Sequence, residues 1–376
     1  MGYPYNRVDV DSHMQEKTDT WTSRMSKAKW GDRIPHVAER DGVEEWVIDG
    51  TPTGSLATCP AVMPDRVTWP KKWEMIPEGV YEANARLKYM DHDSIDAAVL
   101  YPNVTGPSGG RFQGKEPDYE ADCVRAYNDV LTEEWLGVNQ DRFIALTVPP
   151  YSSMERMVTE VAYNAGKGHR GVVLVGTPNL RNLPHFSDRY WDPLWQTIVD
   201  CGIVASVHGS GDAPQSMRID QLPGMEWRRS SAAVAATGFT MHPQYLMTFL
   251  FAGVLDRFPD LTFVSAETGI GWLPWLLESC DYAWEKGRLW DHGLPNRPSD
   301  LFHRNCYVDF WYELSAIQGY RDVIGVDRIM WETDFPHPTA LWPDTEKFLQ
   351  RALEGVPEDE QRMILADNPI RAFNLG

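Results

Sequence analysis

Imidazole and carboxylate side chains occur together in four short stretches of this chain, beginning with V-D-V-D-S-H at residues 8–13. The candidate groups are Asp11, His13, His208, Glu267, Asp334 and His337. A single histidine or aspartate of this kind is ordinarily a hydrogen-bonded loop residue. Several buried carboxylates at one place, however, repel each other unless they are protonated or bound to a metal. Mixed histidine and carboxylate ligands suit Zn, Fe or Mn better than Ca or Mg, so the stretch 8–13 predicts a strand that delivers metal ligands.

These groups fall at the ends of short apolar runs that alternate with helical periods. The eight runs span residues 8–13, 97–103, 143–149, 171–177, 202–209, 261–269, 306–312 and 328–337. Strands alternating with helices indicate parallel βαβ units, and eight such units predict a (β/α)8 TIM-like barrel. The carboxyl ends of barrel strands meet at one mouth, which would bring the candidate groups together. A doubly wound sheet is the alternative, but no G-x-G-x-x-G or Walker loop follows any run.

We predict a single barrel domain over residues 1–376, with two loop insertions on its C-terminal face. The insertions are residues 16–79, after the first strand, and 209–242, after the fifth. Within the first, W-V-I-D-G-T-P-T-G at 46–54 indicates a β-hairpin turn. Helical periods are expected at 82–91, 119–140, 154–165, 190–201, 243–258, 271–286 and 344–353.

Composition excludes several classes of partner. The net charge of −19 argues against nucleic acid, which requires a basic stripe, and against anionic membrane surfaces. No apolar run approaches the roughly 20 residues of a membrane-spanning helix, and the first residues lack the features of a signal peptide. The five cysteines include no CxxC pair, which favours free thiols in a reducing cytoplasm. We therefore expect a cytoplasmic protein.

Four motifs together resemble the amidohydrolase-related family, in the branch that contains aminocarboxymuconate semialdehyde decarboxylase and resorcylate-type decarboxylases. They are D-S-H at 11–13, V-H-G at 207–209, R-F-P-D-L-T-F-V-S-A-E-T-G-I-G-W at 257–272 and E-T-D-F-P-H at 332–337. The resemblance covers nearly the whole chain. It implies a metal-dependent barrel whose first metal is held by Asp11, His13, His208 and Asp334.

The chain departs from that family at positions that decide the chemistry. Family decarboxylases carry an acid–base histidine after strand six, where this chain has Glu267, and strand four offers no lysine to bridge two metals. Glu16 and His337 add a carboxylate and an imidazole near the presumed ligands. These additions resemble the oxygenase offshoot that includes aminoisobutyrate hydroxylase. That resemblance implies a non-haem Fe or Mn pair, with Glu16, Glu267 and His337 as further ligands, and a reductase or ferredoxin that supplies electrons.

Other roles remain open for several of these residues. Glu267 is alternatively a general base, His337 a catalytic or orienting group, and Glu16 a cap of the following segment. Tyr101 and Asn103, at the end of strand two, are candidate substrate contacts or barrel packing residues. His242, at the end of the second insertion, is either a histidine that reaches the mouth or, as the sequence favours, an exposed histidine.

The leading functional hypothesis is thus a dinuclear Fe or Mn oxygenase that hydroxylates a small organic acid or amine. The first alternative is a hydrolase or decarboxylase with one Zn or Mn, acting on a small carboxylate. The second is a non-catalytic barrel subunit of a hetero-oligomer. The aromatic-rich first insertion is a candidate interface for a homo- or hetero-oligomer.

Overall fold

The computed structural model describes residues 5–209, 224–238 and 242–376 of the chain. The strands within these ranges are β1 (Val8–Met14), β2 (His36–Arg40), β3 (Val43–Ile48), β4 (Thr51–Pro52), β5 (Ala97–Pro102), β6 (Phe143–Thr147), β7 (Gly171–Leu174), β8 (Val204–His208), β9 (Phe263–Ala266), β10 (Cys306–Phe310) and β11 (Ile329–Trp331). Eight of them form one sheet in the order β1-β5-β6-β7-β8-β9-β10-β11. All seven pairs in this sheet are parallel, which confirms the predicted (β/α)8 barrel.

Main-chain hydrogen bonds close the sheet between its first and last strands. The Asp334 amide donates to the Asp11 carbonyl at 2.9 Å, and the His13 amide donates to the Phe335 carbonyl at 2.6 Å. Near this seam, two residues of β1, Val10 and Asp11, oppose the single residue Val99 of β5, which is a β-bulge. A bulge changes the direction in which neighbouring side chains point. The residues that close the barrel are therefore the ones predicted to bind metal.

Helices surround the sheet and account for the burial of its strands. They are α1 (Lys27–Trp30), α2 (Ala83–His92), α3 (Pro117–Val130), α4 (Gly137–Asn139), α5 (Met154–Ala165), α6 (Asp192–Cys201), α7 (Trp227–Gly238), α8 (His242–Leu250), α9 (Val254–Arg257), α10 (Leu273–Gly287), α11 (Pro298–Asn305), α12 (Arg321–Ile324), α13 (Thr345–Ala352), α14 (Glu358–Arg362) and α15 (Asn368–Ala372). Every residue of the eight barrel strands is buried, because helices cover the outside while side chains fill the inside.

Local signals in the sequence account for the helix ends. Ser153 accepts a hydrogen bond from the Arg156 amide and caps α5, which spans the predicted residues. Gly202, in the left-handed conformation, ends α6 directly before β8. The expected helix at 243–258 is instead two helices, α8 and α9, because Gly253 adopts a φ of 68° between them. None of the helices in the described ranges is long and apolar enough to cross a lipid bilayer.

A second, antiparallel sheet lies within the first predicted insertion. Its order is β2-β3-β4, and the turn between β3 and β4 has positive φ at both Asp49 and Gly50. Two central residues with positive φ are the mark of a type I′ hairpin, as expected for residues 46–54. Of the second predicted insertion, residues 210–223 and 239–241 lie outside the described residues, and α7 occupies most of the part between them.

Candidate metal centre

Four side chains from three strand ends converge inside the barrel mouth. Asp11 and His13 lie on β1, His208 ends β8, and Asp334 lies three residues beyond β11; all four are 0% exposed. The Nε2 atom of His13 lies 3.3 Å from Asp11 Oδ1 and 3.5 Å from Asp334 Oδ1. It also lies 3.1 Å from Nε2 of His208, which in turn is 2.9 Å from Asp11 Oδ2. Three stretches distant in the sequence thus place donor atoms around Nε2 of His13.

The chemistry of this donor set fits a divalent cation. The Nε2 atoms of His13 and His208 face each other at 3.1 Å. If both carried a proton, two N–H donors would point at each other without an acceptor between them. Apart from imidazole nitrogens, those of His13 and His208 for Asp11 and those of His13 and His337 for Asp334, both oxygens of Asp11 and Oδ1 of Asp334 have no hydrogen-bond partner. Asp11, His13 and His208 place one ligand atom each within 4.8 Å of one another. Two carboxylates and two imidazoles are the ligand types that Zn, Mn and Fe use.

Electrostatics support the same assignment. Burial alone would lower the pKa of His13, but the Asp11 and Asp334 carboxylates raise it to about 10. Burial would likewise raise the pKa of Asp334, but His337 and His13 lower it to about 2. The carboxylates therefore stabilise positive charge at this place. Without a metal, protons on the imidazoles supply that charge, and a bound metal ion would supply it instead.

His337 adjoins this centre and is held from two sides. Its Nδ1 lies 2.9 Å from Asp334 Oδ1, and its Nε2 lies 2.7 Å from Asn103 Oδ1. The ring stacks on that of His13, with centroids 3.6 Å apart and planes inclined by 24°. His13, Asp334 and His337 form a second group with metal-ligand spacing. Asn103, a predicted substrate contact, thus orients His337.

Glu267 lies beside the centre but in neither ligand group. It directly follows β9 in the left-handed conformation, with a φ of 54°, and is 5% exposed. Its Oε2 lies 3.4 Å from Nδ1 of His208, on the ring edge opposite the converging Nε2. Burial raises the pKa of Glu267 to about 8, and the neighbouring Asp334 and Asp11 carboxylates add to the effect of burial while His208 opposes it.

Gly209 provides the space that Glu267 occupies. A Cβ at residue 209 would lie 2.5 Å from Glu267 Oε2 and 2.6 Å from His242 Nε2. Both groups therefore press against the backbone that follows His208. His242 is 0% exposed, so its reading as an exposed histidine is wrong; burial lowers its pKa to about 3.

Glu16 has a different environment from the one expected of a metal ligand. Its carboxylate accepts hydrogen bonds from the Val104 amide at 2.8 Å and from the Thr105 amide at 3.0 Å. The side chain is fully buried, and it belongs to neither ligand group. In this structure Glu16 anchors the loop after β5, because two main-chain amides donate to its oxygens, and its role as a metal ligand stays a prediction.

Tyr101 lies within the barrel beneath the ligands. Its hydroxyl is 2.6 Å from Ser206 Oγ, and its ring centroid is 4.6 Å from that of His208. The side chain is 0% exposed. Tyr101 therefore packs against the ligands and holds a hydrogen bond across the barrel.

Three further acids near the centre are buried, and two of them, Asp309 and Glu332, were not singled out from the sequence. Asp9 accepts hydrogen bonds from the Thr333 amide at 2.9 Å and from its hydroxyl at 2.5 Å, across the seam. Asp309 on β10 and Glu332, directly after β11, are 0% exposed. Burial raises the pKa of both well above the usual range. A charged residue inside an apolar run, as in C-Y-V-D-F-W-Y at 306–312, was the available signal.

The chain matches a known protein family and is similar in fold to solved structures. The family model described as Amidohydrolase matches residues 67–375. An amidohydrolase from Mycobacterium avium subsp. paratuberculosis K-10 superposes with a TM-score of 0.76 at 21% identity, covering 99% of this chain and 100% of that one.

Two further solved structures contain manganese. A dihydroxybenzoic acid decarboxylase from Polaromonas sp. JS666, with manganese and 2-nitroresorcinol, has a TM-score of 0.66 at 16% identity and covers 99% of this chain and 97% of that chain. A 5-carboxyvanillate decarboxylase from Novosphingobium aromaticivorans DSM 12444, with manganese and 4-hydroxy-3-methoxy-5-nitrobenzoic acid, has a TM-score of 0.67 at 16% identity, with coverage of 99% and 96%. At these identities the likeness concerns the fold.

Proposed function

The chain belongs to the amidohydrolase family, and we propose that it is a manganese-dependent decarboxylase of small aromatic carboxylates. The observation that carries the proposal is the fully buried set of Asp11, His13, His208 and Asp334, in which the other three residues each place a donor atom within 3.5 Å of His13 Nε2. The sequence favoured an iron or manganese oxygenase with a reductase or ferredoxin partner. The ligand-bound structural neighbours are decarboxylases, which agrees with the alternative.

The donor geometry supports one ion rather than two. The two ligand groups share His13, and an imidazole nitrogen binds a single metal. The other ring nitrogen of His13, Nδ1, faces the Pro102 carbonyl at 3.3 Å. His337 is therefore an orienting neighbour of Asp334 in this proposal, and Glu16 has no ligand role.

The residues around the ion suit a redox-neutral reaction. When bound, a divalent metal polarises a substrate oxygen as a Lewis acid. Glu267 takes the acid–base role that the family assigns to a histidine after strand six. The bond from the ring carbon to the carboxylate breaks and leaves its electron pair on that carbon. The carbon then takes a proton from Glu267, so the products are carbon dioxide and the protonated arene, and no electron donor is needed.

The segment at residues 16–79 supports exclusion of water from this site. Glu16 binds the loop after β5, and the Ala61 amide donates to the Pro336 carbonyl at 3.3 Å, next to His337. Both contacts are at the carboxyl ends of barrel strands. We infer that this segment belongs to the single barrel domain and covers its mouth. A closed site excludes water, which favours proton transfer from the protein to the substrate carbon.

Metal analysis and carbon dioxide release test the proposal. Protein stripped with a chelator and reloaded with Mn²⁺ should bind about one equivalent and release carbon dioxide from a panel of hydroxybenzoates under argon. E267Q should keep the metal and lose at least about 100-fold in turnover, within the range of general acid–base catalysis. E120Q is the matched control, because Glu120 is a buried acid that accepts from the Tyr151 amide at 2.9 Å, outside the site.

Two results would contradict the proposal. Oxygen uptake coupled to hydroxylation, with two metals per chain, would restore the oxygenase hypothesis. Turnover with one Zn²⁺ on an amide or ester, without carbon dioxide, would indicate a hydrolase.

A further inference from the structure

Arg86, on α2, is a buried arginine whose hydrogen bonds go only to main-chain carbonyls among the described residues. It is 1% exposed. Its Nε donates to the Gly79 carbonyl at 2.5 Å, and its Nη2 donates to the His13 carbonyl at 2.5 Å. A longer bond of 3.4 Å goes to the Val80 carbonyl. Because burial removes the hydration of a guanidinium, which is unfavourable, its position calls for an explanation.

The guanidinium also contacts the segment that follows the other ligand strand. Its central carbon lies 4.5 Å from the ring centroid of Phe335 and 5.5 Å from that of Trp135. Phe335 directly follows Asp334, and its carbonyl accepts the His13 amide. Arg86 therefore touches both sides of the seam, at the carbonyl of one ligand and at the neighbour of another.

The surroundings of Arg86 reinforce this geometry. A small cavity is lined by Arg86, Asp9, Ser12, Thr333 and Phe335 among others. Asp9 ties β1 to Thr333 across the seam. Burial lowers the pKa of Arg86 to about 9, against the attraction of Asp9. Two buried polar side chains, Arg86 and Asp9, thus flank the main chain that carries Asp11, His13 and Asp334.

We propose that Arg86 is a positioning residue that sets the metal affinity of the centre by holding the His13 carbonyl and the Phe335 ring in register. The inference rests on the metal centre proposed above. Arg86 touches no metal ligand side chain, so it acts through the backbone. The planar fork of the guanidinium spans the carbonyls of Gly79 and His13 at once, whereas a lysine ammonium is a point charge on a flexible stem.

A purely structural role for Arg86 would hold the 79–80 turn against β1 and nothing more. That role predicts a loss of thermal stability without a change in metal affinity. The positioning role predicts a change in metal affinity measured on folded protein. Removing a group that orients a metal ligand typically costs about 10- to 100-fold in affinity.

The test compares Mn²⁺ binding by R86M, R86K and R142M with binding by the parent protein. Free Mn²⁺ is followed by its electron paramagnetic resonance signal, at a temperature where circular dichroism shows each variant folded. Arg142 is the matched control, since it also donates to a main-chain carbonyl, that of Ile95 at 3.0 Å. Ile95 precedes β5, at the end of the barrel away from the ligands.

The expected result is a dissociation constant raised about 10- to 100-fold in R86M, partly recovered in R86K, and unchanged in R142M. The bound-Mn²⁺ signal of R86K should also broaden if the ligand geometry relaxes. If R86M fails to fold, R86K against R142M decides the question by the same measurement. If folded R86M binds Mn²⁺ as tightly as the parent, the positioning role of Arg86 is wrong, while the metal centre itself still stands. The same holds for R86K when only that variant folds. A parent protein that binds no Mn²⁺ would overturn the metal centre and this inference together.

Discussion

Replacing Gly209 with alanine tests the role of Glu267 without touching a ligand. The new Cβ would lie 2.5 Å from Glu267 Oε2 and 2.6 Å from His242 Nε2, whereas ordinary contacts begin at 3.4 Å. The carboxylate must therefore move by the difference, about 0.9 Å. A misplacement of about 1 Å in a reacting group costs on the order of 100-fold in rate, which is about 2.7 kcal/mol in activation free energy. The backbone of Gly209 is not left-handed, so alanine is compatible with its φ; the new Cβ would also lie 2.7 Å from the Glu267 carbonyl oxygen, so the backbone of residue 267 must shift as well.

G171A is the control for the cost of overpacking itself. A Cβ at residue 171, at the start of β7, would lie 2.7 Å from side-chain atoms of both Leu146 and Val204. Both variants should lose about 1–3 kcal/mol of unfolding free energy. Only G209A should lose turnover, because only its Cβ meets Glu267. The assay measures kcat with saturating Mn²⁺, the Mn²⁺ dissociation constant and the thermal unfolding of each variant.

A G209A protein with parental kcat and bound metal would refute this reasoning. It would mean that the position of Glu267 is irrelevant to turnover, and the acid–base role would pass to another group. Equal loss of turnover in G171A would refute it as well, since the effect would then follow from overpacking alone.

Two further predictions concern histidines inside and outside the site. H208Q should lower Mn²⁺ affinity by more than about 100-fold, the upper cost of removing a supporting group, while circular dichroism stays that of the parent; a full equivalent of tightly bound metal would remove His208 from the ligand set. His169 lies between the hydroxyls of Thr132 and Thr147, at 3.1 and 3.0 Å, and burial lowers its pKa to about 3. The unfolded chain therefore binds the proton first as pH falls below about 6.5. Between pH 6.5 and pH 5.0, the free energy of unfolding measured with denaturant should fall by about 2 kcal/mol more in the parent than in H169Q. An equal pH dependence in the two proteins would contradict the assignment.

The barrel could be predicted because its strands are buried on both faces. An apolar run flanked by helical periods leaves little choice of structure, and β1, β5, β6, β7 and β10 begin at the predicted residues. The predicted runs at 261–269 and 328–337 extend beyond the observed ends of β9, at Ala266, and of β11, at Trp331. Glu267 turns into the left-handed region directly after β9, and the chain leaves β11 at Glu332. The hydrogen bonds that end a strand depend on its neighbours, which the sequence pattern does not contain.

The convergence of the ligand residues followed from topology, whereas the partners of the added residues did not. Parallel strands in a barrel bring their carboxyl ends together whatever the loops do, so Asp11, His208 and Asp334 had to be neighbours. Glu16 could equally have pointed at a metal or at main-chain amides, because a carboxylate accepts from either. Nothing in the sequence of α2 sets Arg86 apart, and only its burial and its contacts with the His13 carbonyl and the Phe335 ring distinguish it from a surface arginine.

The seam between β1 and β11 also has a consequence for biosynthesis. Asp9 and Thr333, which bond across it, are 324 positions apart in the chain. The ribosome therefore releases β1 long before its partner exists, and the nascent sheet keeps an open, apolar edge until β11 emerges. Exposed strand edges are where incomplete chains aggregate. A translation product that stops before Ile329 thus lacks both the closing strand and the fourth ligand, so the complete ligand set exists only once the barrel can close.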